Sequence, residues 1–317
     1  MRVAIRKLAT AILLIFTIIG GIVGCSTQTS SDSGKKTIKI GYQKYGTLNL
    51  LRTKGDLEKK LEGYKVEWIL FPAGPQLLEA LNTGSIDFGS TGEAPPIFAQ
   101  AAGTPLVYVG AEPASPGSEG FLVPKGSPIK SIKDLKGKKV ALNKGSNVHY
   151  LLVKALESAG LKLSDIQPVY LPPADARSAF EKGSVDAWVI WDPFLAAAQD
   201  ATGGTLLADG KGLVSNREFY LASQSLVKNE EKVVNVIFDE IAKIGAWSKD
   251  HPEDVAKTLS PVVGIPEKTL VLAEKRRNYG IQKIDATIIA DQQKIADTFY
   301  GVGLIPKAIS IKDAVQK

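Results

Sequence analysis

Cysteine is almost missing from this chain, with Cys25 alone among 317 residues. Internal disulfides and a thiolate zinc site are excluded by that count. Histidine is nearly as scarce, only His149 and His251, so no histidine-rich metal cluster can form. The chain has no Gly-x-Ser-x-Gly elbow, no nucleophile beside a base and no Gly-x4-Gly-Lys phosphate loop. These gaps argue against an enzyme, and neither a metal nor a cofactor is expected. Charge is not concentrated either. No five like charges run together, and the formal +6 includes Arg2, Arg6 and Lys7, whose removal leaves about +3. Nucleic acid is therefore not an expected partner. The hydrophobic fraction of 44% suits a globular protein with a real core.

What is present starts with an address. Arg2, Arg6 and Lys7 precede a largely apolar run over residues 8–21, closed by Ile22-Val23-Gly24-Cys25. A secretory leader has this order, and the run is shorter than the roughly 20 residues of a spanning helix. A cysteine directly after a small residue resembles a bacterial lipobox, at which the thiol is acylated before cleavage. Residues 1–24 are expected to be a lipoprotein signal peptide, with Cys25 lipidated. Residues 25–36, rich in Ser, Thr and Gly, read as a flexible tether that cannot bury a core. The remainder is long enough for two domains.

Strand and helix patterns alternate along it. Residues 37–42 alternate as a strand, 48–61 have helical spacing, and 66–71 are strand-like again. Gly74-Pro75 opens a helix with Leu77, Leu78 and Leu81 on one face; residues 86–88 read as a short strand. Pro95-Pro96 starts a helix, as proline does in a first turn, and residues 106–109 form a further strand. Such alternation predicts βαβ units and a mostly parallel sheet. The pattern then repeats: Phe71-Pro72-Ala73 … Gly84-Ser85-Ile86-Asp87 is echoed by Leu171-Pro172-Pro173 … Gly183-Ser184-Val185-Asp186. The offset is 100 residues before a single-residue gap and 99 after it, which suggests two similar α/β lobes. The expected division is residues 37–120 and 221–317 in lobe 1 and 121–220 in lobe 2. The chain crosses near residues 119–123 and returns near 219–222. Residues 230–317 read as mainly helical.

The repeat also points to a site. Ligands of open α/β sheets sit outside the carboxyl ends of strands. Gln43 and Asn143 follow the first strand of each lobe, and Thr91-Gly92-Glu93 and Ile190-Trp191-Asp192 follow equivalent later strands. If the lobes face each other, these segments converge on one cleft. Asn143 to Tyr150 joins a strand to a helix, and free amides at such a helix start, aided by the macrodipole, suit an anion. An ordinary capped start, through Ser146 or Asn147, is the plainer alternative. Ser90 and Glu93 have capping-box spacing, so Glu93 either caps or faces the cleft. Trp191 can wall an apolar tail; Trp188 reads as core. His149 lies in the first turn of the anion-site helix, and the Lys275-Arg276-Arg277 run reads as a solvated helix face.

The motifs resemble one family. Residues 41–47 (GYQKYGT), 71–78 (FPAGPQLL), 84–89 (GSIDFG), 142–150 (LNKGSNVHY), 171–177 (LPPADAR), 188–193 (WVIWDP) and 275–280 (KRRNYG) are similar to those of aliphatic sulfonate-binding proteins of ABC importers. The resemblance implies a type II periplasmic-binding-protein-like clamp. Each lobe would be a mixed, mostly parallel sheet flanked by helices, with two hinge crossings between them. It implies a sulfonate at the Ser146, Asn147 and Val148 amides with Gln43 opposite. Gly92, Glu93, Trp191 and Asp192 would line the rest; His149 is a candidate ligand from its place in the helix alone. The implied partners are a membrane permease and its cytoplasmic ATPase, with the receptor a monomer tethered at the outer face of the cytoplasmic membrane. A lipid anchor in place of a free periplasmic form suggests a Gram-positive host. A taurine or other amino-sulfonate receptor, pairing Glu93 or Asp192 with an ammonium, is the nearest alternative; an exported enzyme on the same fold is a further one.

Overall fold

Two five-stranded sheets, each covered by helices on both faces, make up the described part of the chain. The structure, a computed structural model, describes residues 34–316. The leader, Cys25 and the tether as far as residue 33 lie outside those residues. In chain order, the first sheet begins with β1 (Lys36–Gln43), α1 (Thr47–Lys54), α2 (Leu57–Lys60) and β2 (Tyr64–Phe71). It continues with α3 (Gly74–Asn82), β3 (Phe88–Gly92), α4 (Pro95–Ala101) and β4 (Leu106–Ala111). The second sheet takes β5 (Glu119–Val123), β6 (Lys139–Leu142), α5 (Asn147–Ser158), β7 (Gln167–Tyr170) and α6 (Pro173–Glu181). It ends with β8 (Ala187–Trp191), α7 (Phe194–Thr202) and β9 (Thr205–Asp209). β10 (Glu218–Ser223) returns to the first sheet, followed by α8 (Gln224–Asn229), α9 (Glu231–Asp250) and α10 (Pro252–Val263). Last come α11 (Glu267–Glu274) and α12 (Ala286–Gly301).

Local chemistry explains most boundaries. The helical spacing over residues 48–61 is split in two because Gly55 turns extended after α1, its amide donating to Leu51 O. α2 then restarts at Leu57. Pro75 sits in the first turn of α3, whose Leu77, Leu78 and Leu81 are buried. The strand expected at residues 86–88 lies later, at β3.

The strand orders are β2-β1-β3-β10-β4 and β7-β6-β8-β5-β9. These are one order under the 100-residue offset, with β1 matching β6 and β10 matching β5. Registers follow suit: Ile40 pairs with Phe88, and Val140 with Ala187. Even a side-chain clamp repeats, the Lys39 amide donating to Asp87 Oδ2 and the Lys139 amide to Asp186 Oδ2, both at 2.8 Å. Each sheet is parallel except for one strand, β10 or β5, which runs antiparallel to both neighbours. That strand is the one entering from the other sheet. Strand side chains alternate between two faces, and both faces are buried. Phe219 and Leu221 join one cluster of the first sheet, Tyr220 and Ala222 the other. Phe121 and Val189 lie on one face of the second sheet, Leu122 and Trp188 on the other.

Residues 112–118 and 210–217 carry the chain between the sheets, and they are bonded to each other. The Glu112 amide donates to Glu218 O at 2.8 Å, Ser115 to Ser215 O at 3.0 Å, and Gly210 to Pro116 O at 3.0 Å.

Candidate ligand-binding cleft

A cleft with about 870 Å³ of empty space, part of it open to solvent, lies between the two sheets at the carboxyl ends of their strands. Gln43 follows the core of β1, Gly92 ends β3 and Trp191 ends β8, so the strand ends of both sheets reach its walls. Ser146 and Asn147 bring the start of α5 to it.

That helix start has the features of an anion site. Gly145 takes the left-handed conformation, φ 74°, which glycine adopts without steric cost, and the turn is pinned by its amide donating to His149 Nδ1 at 3.2 Å. Ser146 occupies the cap position, yet its hydroxyl donates backward to Asn143 O at 2.7 Å. No side chain caps α5. The His149 amide donates to Ser146 O at 3.0 Å and the Ser146 amide to Asn143 O at 3.4 Å, so the amides of Asn147 and Val148, with the helix dipole, are the donors left for the cleft. His149 itself is fully buried against Phe98, Phe299 and Tyr170. Burial and the nearby Lys144 push its pKa down to about 4, so the ring is neutral.

Three acids and three cations line the cleft: Glu112, Asp192 and Glu218 with Lys44, Arg217 and Arg277. The acids are already engaged. Arg277 donates to Glu112 at 2.6 Å and Glu218 at 2.8 Å. Glu112 also accepts from Thr47 and Tyr220, and Glu218 from Ser90 at 2.6 Å. Asp192 pairs with Arg276 at 3.3 Å and accepts the Ala196 amide at 3.0 Å. Its pKa is still pushed up to about 6, because burial outweighs the arginine. Lys44 has no ion-pair partner among the described residues. An aromatic and proline wall completes the cleft, with Trp191 edge-on to Phe194 at 6.1 Å and Pro72, Pro95 and Pro113 opposite.

The NMT1/THI5-like family profile matches residues 60–255. A putative aliphatic sulfonates-binding protein of Escherichia coli (strain K12) is 43% identical over 301 residues, 94% of either chain. This chain belongs to the aliphatic sulfonates-binding protein family. The protein of the same description from Bacillus subtilis (strain 168) is 32% identical over 314 residues, covering 96% of this chain and 93% of that one. The alkanesulfonate-binding protein from Xanthomonas axonopodis pv. citri, solved bound to MOPS, superposes with a TM-score of 0.85. It is 41% identical, covering 88% of this chain and 98% of the other.

Within this family member, six residues singled out in the sequence meet at the cleft: Gln43, Gly92, Ser146, Asn147, Trp191 and Asp192. Val148, His149 and Glu93 put their side chains elsewhere. Val148 is in the core of the second sheet. Glu93 neither caps a helix nor lines the cleft: α4 starts only at Pro95, and the Glu93 carboxylate accepts the Arg217 amide at 3.0 Å. Its burial pushes the pKa up to about 7. Within the Lys275-Arg276-Arg277 run only Lys275 is exposed; Arg276 and Arg277 turn inward to Asp192 and to Glu112 and Glu218. Glu112, Asn216 and Glu218 were missed. Only the internal offset hints at one of them, because Glu218 matches Glu119 at the start of the other antiparallel strand.

Proposed function

We propose that this protein is an extracytoplasmic receptor that binds aliphatic sulfonates in the inter-lobe cleft and delivers them to an ABC importer for sulfur acquisition. The uncapped start of α5 at the cleft wall carries the reading. Each hydrogen bond to a charged partner contributes about 1.5–3 kcal/mol, so three or four support micromolar binding, roughly −8 kcal/mol. A sulfonate is anionic at all physiological pH values, so fixed neutral donors suffice and no titrating base is needed. The cleft acids are satisfied internally and do not have to be neutralised by the ligand. The same engagement of Asp192 and Glu93 favours an uncharged alkyl tail over the ammonium of an amino-sulfonate. The family membership supports binding rather than catalysis.

In this reading lobe 1 comprises residues 37–120 and 221–317 and lobe 2 residues 121–220, with β5 and β10 moving the division to the crossings at 112–118 and 210–217. The sulfonate meets the amides of Asn147 and Val148 beside Ser146, with Gln43 facing it and Gly92, Trp191 and Asp192 around the tail. Cys25 carries the lipid that holds the monomer beside its permease. Deleting the gene tests the role: the strain is expected to fail on ethanesulfonate as sole sulfur source and to grow normally on sulfate. Unimpaired growth on the sulfonate would count against the reading.

A further inference from the structure

Asn216 is the only non-glycine residue at positive φ among the described residues, at 47°. It sits in the second crossing and lines the cleft. Such a conformation costs a non-glycine residue energy and persists where surrounding contacts over-determine it. Those contacts are specific. Its Nδ2 donates to Ser115 O and to Ser118 Oγ, both at 3.0 Å, which ties the second crossing to the first. Its Oδ1 accepts from Asn147 Nδ2 at 2.5 Å, which ties both crossings to the first residue of α5. Asn147 in turn accepts the Ala94 amide of the other lobe through Oδ1 at 3.3 Å. Ser115 is itself held from the C-terminal region, its hydroxyl accepting the Asn278 amide at 2.9 Å.

We infer that Asn216 is a positioning residue that couples the anion-binding helix to the hinge. The carboxamide relay from Asn147 through Asn216 to Ser115 and Ser118, with the Asn147 contact to the Ala94 amide across the cleft, stabilises the closed arrangement without ligand. The ligand then meets a site that is already assembled. Apparent affinity scales with the fraction of protein in the competent state, so breaking the relay weakens binding although Asn216 need not touch the ligand. The inference rests on the sulfonate-cleft reading for its ligand but not for its conformational half.

Two substitutions separate the roles. Asn216→Gly keeps the backbone conformation, which glycine adopts freely, and deletes all three side-chain bonds. Asn216→Asp keeps an acceptor for Asn147 and loses the donor to Ser115 O. Small-angle scattering of the purified protein without ligand is expected to give a larger radius of gyration for both variants than for the native protein. Saturating butanesulfonate should return both to the native value. The dissociation constant of Asn216→Gly should rise by the factor lost from the closed population, on the order of tenfold. Native unliganded radii with native affinity and only a lower melting temperature would overturn the inference, leaving a structural hinge residue. Lost affinity at an unchanged radius would overturn it too, by making Asn216 a direct ligand contact. If butanesulfonate fails to bind even the native protein, the ligand reading falls alone, and the unliganded radii still decide the coupling.

Discussion

The Asn147 carboxamide fills the space that a Cβ on Gly92 would need. Gly92 ends β3 of the first sheet and Asn147 opens α5 beside the second, so a Cβ at position 92 must displace a carboxamide already bonded to Asn216 and Ala94. Gly92→Ala is expected to hold the lobes apart at this point. Overpacking of this kind costs about 1–3 kcal/mol, and since opening relieves it, the loss should appear as sulfonate affinity reduced about tenfold or more. Titration of the variant, with its thermal stability near native, checks this. Native affinity would show that the cleft closes without this contact.

Arg277 carries a different burden. It is 12% exposed and joins Glu112, 3% exposed, to Glu218. Removing one partner of a buried pair costs about 3–5 kcal/mol, because the charges left behind are uncompensated. Arg277→Met should lower denaturant stability by an amount of that order. Adding Glu218→Gln should restore part of it by removing one of two facing carboxylates.

The carboxyl of Glu93 has a folded pKa raised by burial to about 7. An acid with a raised folded pKa is penalised where it must ionise, so the native state loses stability as pH rises through 7, and the loss vanishes below the unfolded value. Glu93→Gln keeps the acceptor for the Arg217 amide. It should therefore raise stability at pH 8 by up to about 3 kcal/mol and change little at pH 4.5. Equal effects at both pH values would contradict the assignment.

His149 has the opposite sign. Its folded pKa is depressed to about 4 by burial, so the unfolded chain binds the proton first. Stability is complete above about pH 6.5 and declines as pH falls toward 4. Nitrogen-detected NMR of the ligand-saturated protein should show the His149 ring neutral at pH 5, with Nδ1 unprotonated. A charged ring at that pH would contradict the buried interface.

Local patterns carried much of the architecture. The offset linking Ile40 to Val140 survives as strand order and register because each βα unit is written in contiguous residues. Proline fixed the start of α4, while the break at Gly55 went unread because Leu57 and Leu61 keep apolar spacing across it. The capping-box spacing of Ser90 and Glu93 misled for a physical reason. α4 begins after both residues, and each turns to β10 and its approach, Ser90 to Glu218 and Glu93 to the Arg217 amide. The floor of the cleft was least legible. Arg277 meets Glu112 across 165 residues and Glu218 across 59, and Arg276 reaches Asp192 across 84. No local periodicity marks such pairs, so a basic run bound for the interior looks like one bound for water.

The proposed acylation of Cys25 has its own test. Cys25→Ser should move the protein from the membrane fraction to the soluble exported fraction, with sulfonate binding unchanged. Retention of the serine variant in the membrane would mean that something other than acylation holds it.

Calorimetric titration with ethane-, butane- and octanesulfonate, taurine, sulfate and nitrate addresses the central claim most directly. Micromolar or tighter binding of the alkanesulfonates is predicted, with sulfate and nitrate silent and taurine weaker. Taurine as the only ligand would reassign the cleft to amino-sulfonates, and no heat from any sulfonate would contradict the account.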